Sequence, residues 1–254
     1  MNIEDVDGVK VLRLTGGSAT KSFSREFLPK IADAVNSLMG EEAVVITGEG
    51  SFFSAGADIN AFQKSIDDGD SVELIRELTG ILHPLLLRMR TSPTIFVAAL
   101  NGASAGGGLG LALACDARIA SPNGKMAASY AGMGLSPDGG TTWLLPRLVG
   151  EQAARRFFLE NQVWDASEAC RLGAIDQVVA TDNLLARAIH VAKTWSQWGS
   201  HTKEATKHLL LTQNINDLET HLKHERTLIE AAGTTEEFAE GVRAFLEKRK
   251  PDFS

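Results

Sequence analysis

The sequence predicts an α/β fold, on three observations. Short apolar runs alternate with helical patterns through the first two-thirds, a glycine-rich segment joins one such run to an apolar helix, and beyond about residue 183 only amphipathic helices continue. Residues 9–14 (Val-Lys-Val-Leu-Arg-Leu) alternate with period two, the pattern of a half-buried strand. Residues 26–39 follow as a helix. Residues 43–47 (Ala-Val-Val-Ile-Thr) form a buried strand stopped by the turn Gly48-Glu49-Gly50, and residues 94–100 form another, stopped by Asn101-Gly102. Between them residues 71–90 read as a helix and the polar stretch 64–70 as a loop. Residues 118–120 and 174–179 supply further short strands. In the tail, Leu184, Ala188, Val191, Ala192 and Trp195 share one helical stripe, and two more helices follow. Thr234 with Glu237 reads as a capping box opening a last helix, whose face Phe238, Val242, Phe245 and Leu246 needs cover from the core or from another subunit. The division expected is a core over residues 1–195 and a helical region over 196–254.

Composition excludes several functions. The 254 residues carry 25 Lys and Arg against 32 Asp and Glu, a net charge of −7, with no basic run of the kind that binds nucleic acid. Cys115 and Cys170 stand far apart, so neither a disulfide framework nor a thiolate zinc site is expected. The first five residues include Glu4 and Asp5 where a signal peptide is basic, and no apolar run approaches a membrane span; the expectation is a cytoplasmic protein in a reducing compartment. His221 and His224 lack a third ligand and read as a solvated helix face, so no metal is expected. Trp195 and Trp198 fit core or interface packing, and Asp116 fits structural hydrogen bonding.

Two loops can carry chemistry. Gly102-Ala103-Ser104-Ala105-Gly106 matches G-x-S-x-G, the elbow of serine hydrolases, yet no HGGG-type oxyanion motif precedes it and five of the six histidines sit in helical segments, not on a loop after a later strand, so a small serine in a tight turn fits better. The glycines at 106, 107, 108 and 110 miss the dinucleotide spacing, because Leu111 stands where the third glycine belongs. What they do offer is bare backbone at a helix N-terminus, where unpaired N–H groups receive an anion or a developing oxyanion; close helix–strand packing explains the glycines equally well. Residues 53–59 (Phe-Ser-Ala-Gly-Ala-Asp-Ile) are a second stretch of small residues after a strand. Two such loops supply the pair of donors that an oxyanion hole requires.

With residues 53–59, residues 99–112 (Ala-Leu-Asn-Gly-Ala-Ser-Ala-Gly-Gly-Gly-Leu-Gly-Leu-Ala) and residues 134–141 (Gly-Leu-Ser-Pro-Asp-Gly-Gly-Thr), the chain resembles the enoyl-CoA hydratase/isomerase (crotonase) family. Residues 144–150, Ala166-Ser167-Glu168-Ala169 with Leu172-Gly173, and the ending 245–251 fit the same pattern in order, so the resemblance spans nearly the whole chain. It implies a spiral of ββα units, a C-terminal helical region that builds a homotrimer or a hexamer of two trimers, and an acyl-CoA substrate of fatty acid metabolism with no separate cofactor. It further implies that the amides of Ala57 and Gly107 hold the thioester oxygen, with Gly56, Asp58 and Gly106 beside them. Ala55 falls where the family's backbone meets adenine, and Phe245 and Lys248 fall where a neighbouring subunit's last helix touches CoA. At residues 21–22 this chain has Lys-Ser where Asn-Ala is common.

The resemblance also indicates the reaction. The family's hydratases hold water with two glutamates, and here those positions are Gly110 and Tyr130, neither of which is a carboxylate. Asp138, in Pro137-Asp138-Gly139-Gly140, occupies a position that carries a catalytic aspartate in some isomerases. Read without the resemblance, Pro-Asp-Gly is a turn with a helix cap. With both glutamates absent, one ionised carboxylate suffices to carry a proton from one carbon of a β,γ-unsaturated acyl-CoA to another, the dienolate being held by the two amides. Tyr130, the only tyrosine, lines the acyl pocket, orients the base or packs. The expectation is therefore an acyl-CoA double-bond isomerase with Asp138 as its single acid/base. Hydration by a rearranged site, dehalogenation, ring isomerisation and a non-catalytic CoA binder are the alternatives.

Overall fold

The structure, a computed structural model, describes residues 1–253. Strands β1 (Asn2–Val6) and β2 (Val9–Arg13) form a hairpin, followed by the short helix α1 (Gly17–Thr20) and by α2 (Leu28–Ser37). The chain then repeats one unit three times: a strand in a large sheet, a three-residue strand in a small sheet, and helix. The first is β3 (Ala43–Thr47), β4 (Phe52–Ser54), α3 (Ile59–Asp68) and α4 (Ser71–Thr91). The second is β5 (Ile95–Leu100), β6 (Ala103–Ala105) and α5 (Gly107–Ala114). The third is β7 (Ala117–Ala120), β8 (Lys125–Ala127) and, beyond a 3-10 turn at Ala131–Met133, α6 (Thr141–Val149) and α7 (Glu151–Leu159). Strand β9 (Val163–Asp165), α8 (Ala166–Leu172) and β10 (Gln177–Val178) close the two sheets. Helices α9 (Leu184–Ser196), α10 (Ser200–Thr212), α11 (Leu218–Ala232) and α12 (Glu236–Glu247) complete the chain.

The large sheet runs β1-β2-β3-β5-β7-β10 and is parallel except for the first hairpin; the small sheet runs β4-β6-β8-β9 with only β9 antiparallel. Successive units therefore stack as a ββα spiral, as the resemblance implied. Strands covered on both faces need apolar residues on both. In β3 this is met: Val44 and Ile46 join the main core with α2, α4 and α5, while Ala43 and Val45 face α9 through Leu184, Ala188, Val191 and Ala192. The expected stripe on α9 is thus the second cover of the sheet, although Trp195 at its end is exposed.

Three local expectations change. Residues 64–70 are not a loop, because Asp58 caps α3 by accepting the Asn60 N–H at 3.0 Å, and Gly69, with φ +73°, ends it. The strand expected over 174–179 shrinks to Gln177–Val178, because the Ala174 and Ile175 amides instead close α8 on the Ala169 carbonyl. The cap of α12 is Thr235, whose hydroxyl accepts the Phe238 N–H at 3.1 Å; Thr234 donates to the Ala231 carbonyl and Glu237 accepts the Ser200 N–H. Helix α12 starts one residue later than the Thr234–Glu237 spacing suggests, so Glu237 is free to tie α12 to α10. The end of its apolar face is open: Phe245 is 83% and Leu246 74% exposed.

Candidate active site

A cavity of about 610 Å³ opens between the β4–α3 loop, α4, the N-terminus of α5 and the 129–138 segment. It lies in the size range of small-molecule sites. Its wall carries Ala55, Ala57, Asp58, Gly106, Gly107, Tyr130 and Asp138, seven of the residues singled out in sequence. Gly56 stands behind the wall. Phe245 and Lys248 lie on α12 and at its end, and do not line the cavity of their own chain.

Two glycines shape the corner of the cavity that holds Ala57 and Gly107. Gly56 adopts φ +80°, and a Cβ there would stand 2.6 Å from the Ala105 carbonyl oxygen and 3.7 Å from the Gly107 nitrogen. The two loops therefore touch, and only glycine lets them. Gly106, with φ +52°, turns the chain into α5, whose first amide, Gly107, has no carbonyl one turn earlier to bind. Among the described residues neither the Ala57 nor the Gly107 amide donates a hydrogen bond within the chain. The Gly107 amide also sits at the positive end of the helix dipole. Two unengaged amides on adjoining loops of one cavity are the arrangement that stabilises an oxyanion.

Asp138 precedes α6. Its backbone carbonyl accepts the Thr141 hydroxyl at 2.8 Å, the Thr141 N–H at 3.2 Å and the Tyr130 hydroxyl at 3.2 Å. Its carbonyl thus makes the turn; Asp138 lines the cavity, and its side chain, 33% exposed, sets Oδ2 3.6 Å from His83 Nε2. The other carboxylate on the wall is committed elsewhere. Asp58 caps α3 and pairs with Lys21 at 3.4 Å. Lys21 itself lines the cavity, while Ser22 is buried, donating to the Ser18 carbonyl and accepting the Ser54 hydroxyl. Burial, reinforced by the nearby Asp138 charge, pushes the Tyr130 hydroxyl above its ordinary pKa, so it acts as a neutral hydrogen-bond donor. Tyr130 thus lines the cavity and its hydroxyl holds the Asp138 carbonyl.

Gly110 is filled from outside. A Cβ there would stand 2.5 Å from the Gly139 carbonyl oxygen and 3.2 Å from the Gly139 Cα, so the loop carrying Asp138 rests on bare helix backbone. Sequence reasoning missed His83 on α4, whose Nε2 accepts the Gly139 N–H at 3.3 Å and lies 3.6 Å from Asp138 Oδ2. No local pattern marks it, since it sits beside the buried stripe of Leu78, Leu82 and Leu86. The remaining cavity wall is mostly apolar, from Phe62, Ile75, Leu78, Leu82, Met133 and Leu135.

Other candidates fall away. Ser104 is buried on β6 and donates to the Lys125 carbonyl at 3.0 Å, so the G-x-S-x-G match is a packing feature. Burial pushes the Cys115 thiol up to about 12, which removes it as a nucleophile. Asp116 is structural, accepting the Phe96 N–H at 2.9 Å and the Lys207 ammonium at 2.9 Å. His221 pairs with Glu225 and His224 with Asn216. Among the described residues no helix is long and apolar enough to cross a membrane.

Comparison with known proteins places this geometry. The family model described as enoyl-CoA hydratase/isomerase matches residues 4–254. A 1,2-epoxyphenylacetyl-CoA isomerase of Escherichia coli is 32% identical over 97% of this chain and 95% of its own, and a crotonyl-CoA hydratase of Syntrophomonas wolfei is 31% identical over 99% and 96%. Among solved structures, Pseudomonas aeruginosa DspI superposes with a TM-score of 0.89 at 33% identity, covering 100% of this chain and 96% of that one.

Proposed function

The chain belongs to the enoyl-CoA hydratase/isomerase family, and on that premise we propose that it moves the double bond of a β,γ-unsaturated acyl-CoA into conjugation with the thioester. The Asp138 carboxylate takes a proton from C2, the electron pair spreads into a dienolate whose oxygen rests on the Ala57 and Gly107 amides, and Asp138 returns a proton to C4. Charge and atoms balance without a cofactor or metal. Each amide is worth roughly 3 kcal/mol of barrier and a placed acid/base about 10²–10⁴-fold in rate.

One observation carries the reading: Asp138 is the one carboxylate on the cavity wall that no helix cap or lysine claims, while Gly110 is backed by the Gly139 carbonyl. The apolar wall suits an uncharged acyl group. The exposed α12 face further supports a homotrimer, alone or paired as a hexamer, in which Phe245 and Lys248 of a neighbouring copy complete the CoA site.

The test is to incubate the protein with 3-enoyl-CoA and with 2-enoyl-CoA, following conjugation and water addition. Conjugation that drops about 10²–10⁴-fold in Asp138→Asn supports the reading. Efficient hydration of 2-enoyl-CoA, indifferent to that substitution, sinks it.

A further inference from the structure

We propose that His83 is a proton relay that exchanges the proton held by Asp138 with solvent during turnover. The inference rests on the isomerase reading above and adds a residue to it. Asp138 lines the cavity that, on that reading, the acyl group fills when substrate is bound. His83 is not part of the cavity wall, yet its ring is 49% exposed. Its exposed edge therefore meets water from outside the cavity wall.

The hydrogen bonding selects the tautomer this role requires. The Gly139 N–H points at His83 Nε2 at 3.3 Å, so Nε2 carries the lone pair and Nδ1 the hydrogen. Asp138 Oδ2 lies 3.6 Å from the same Nε2, a small side-chain rotation from hydrogen-bond length. After Asp138 has taken the substrate proton, the Nε2 lone pair turns from the Gly139 N–H to Oδ2, the Oδ2–H bond breaks as an Nε2–H bond forms, and carboxylate and imidazolium are left side by side. The imidazolium then releases its Nδ1 proton to water, and the reverse path delivers a solvent proton to Oδ2 before protonation at C4. No oxidant, reductant or co-substrate is needed. Neutral His83 has a second effect: its bond to Gly139 N–H helps hold the turn that aims Asp138.

The experiment runs the intact protein in D2O with 3-hexenoyl-CoA and reads deuterium in the 2-hexenoyl-CoA product by mass spectrometry, per molecule formed. The wild type is expected to place one deuterium in most product molecules. In His83→Gln, whose side-chain carbonyl can still accept the Gly139 N–H but cannot pass a proton between two nitrogens, the incorporated label per turnover is expected to fall about fivefold or more. His83→Leu should lose the label to the same degree and also turn over more slowly, because the Gly139 amide loses its acceptor. Equal labelling in the wild type and His83→Gln, or no labelling in the wild type, overturns the relay while leaving the isomerase intact. Product formation that persists in Asp138→Asn overturns the isomerase reading, and the relay with it.

Discussion

Replacing Gly110 by alanine probes the contact on which the proposed isomerase reading rests. An ideal Cβ at Gly110 stands 2.5 Å from the Gly139 carbonyl oxygen, whereas ordinary contact begins at 3.4 Å, so 3.4 − 2.5 leaves 0.9 Å of overlap. The obstructing atom is backbone, and Gly139 at φ +60° has no side chain to swing aside. Its neighbour Asp138 is tied through its carbonyl to Thr141 and Tyr130. The whole turn must shift by about an ångström, a misplacement that costs on the order of 10²-fold in rate, or roughly 2.7 kcal/mol of barrier. Stability responds less. Overpacking costs about 1–3 kcal/mol, and alanine's better helix propensity in α5 offsets roughly 1 of it. At this chain length 1 kcal/mol is only about 2–4 °C in Tm. Isomerisation kinetics beside a thermal melt should therefore show kcat down about a hundredfold with Tm lowered by a few degrees. A Gly110→Ala protein with kcat/KM within about threefold of wild type and an unshifted Tm would refute the claim that this contact positions Asp138.

Gly56→Ala should lower kcat by about 10²–10³-fold, because its Cβ meets the Ala105 carbonyl at 2.6 Å and displaces the Ala57 amide; steady-state kinetics on 3-enoyl-CoA check it, and an unchanged kcat removes Ala57 from the hole. Tyr130 offers a pH test free of overlap, being the only tyrosine. Its pKa is raised in the folded chain, chiefly by burial, so above the ordinary tyrosine value near 10 the unfolded chain loses this proton first and stability falls as pH rises. Phenolate absorbance should appear only well above that pH or together with unfolding, and a titration at the ordinary value in the folded protein contradicts the burial argument. Phe245→Asp with Leu246→Asp should convert a sedimenting trimer or hexamer to monomer and raise KM for the thioester; a wild-type protein that already sediments as a monomer rules out the intersubunit CoA contact.

Much of this could be read before any coordinates. Residues 43–47 and 94–100 announced themselves as buried strands because both faces of the large sheet are covered, which leaves them apolar throughout. The glycine loops at 53–59 and 106–110 were visible because close backbone approach demands small residues. The strands of the small sheet were not visible: β4, β6 and β8 have three residues each, too few to show a period. His83 was hidden for another reason. It meets Gly139 across a sequence separation of 56 residues, and one polar residue beside a leucine stripe carries no local mark of a partner so distant.

The two positions at which the resemblance marks a departure from the family's hydratases, Gly110 and Tyr130, meet on one turn. At one hydratase position the Gly139 backbone lies against Gly110; at the other, the Tyr130 hydroxyl holds the Asp138 carbonyl. The atoms that exclude the first glutamate and replace the second are those that aim Asp138. A glutamate at 110 can enter only by pushing residues 138–140 away, which withdraws the proposed base, Asp138. A glutamate at 130 removes the hydroxyl that steadies the same turn and sets a second negative charge beside Asp138. The double substitution Gly110→Glu with Tyr130→Glu should therefore abolish isomerisation without creating efficient hydration, although it restores both carboxylates to the sequence. A double variant that hydrates 2-enoyl-CoA at more than about a tenth of its parent's isomerisation rate would show that the turn yields freely. Two chemistries that look two residues apart would then be so in fact.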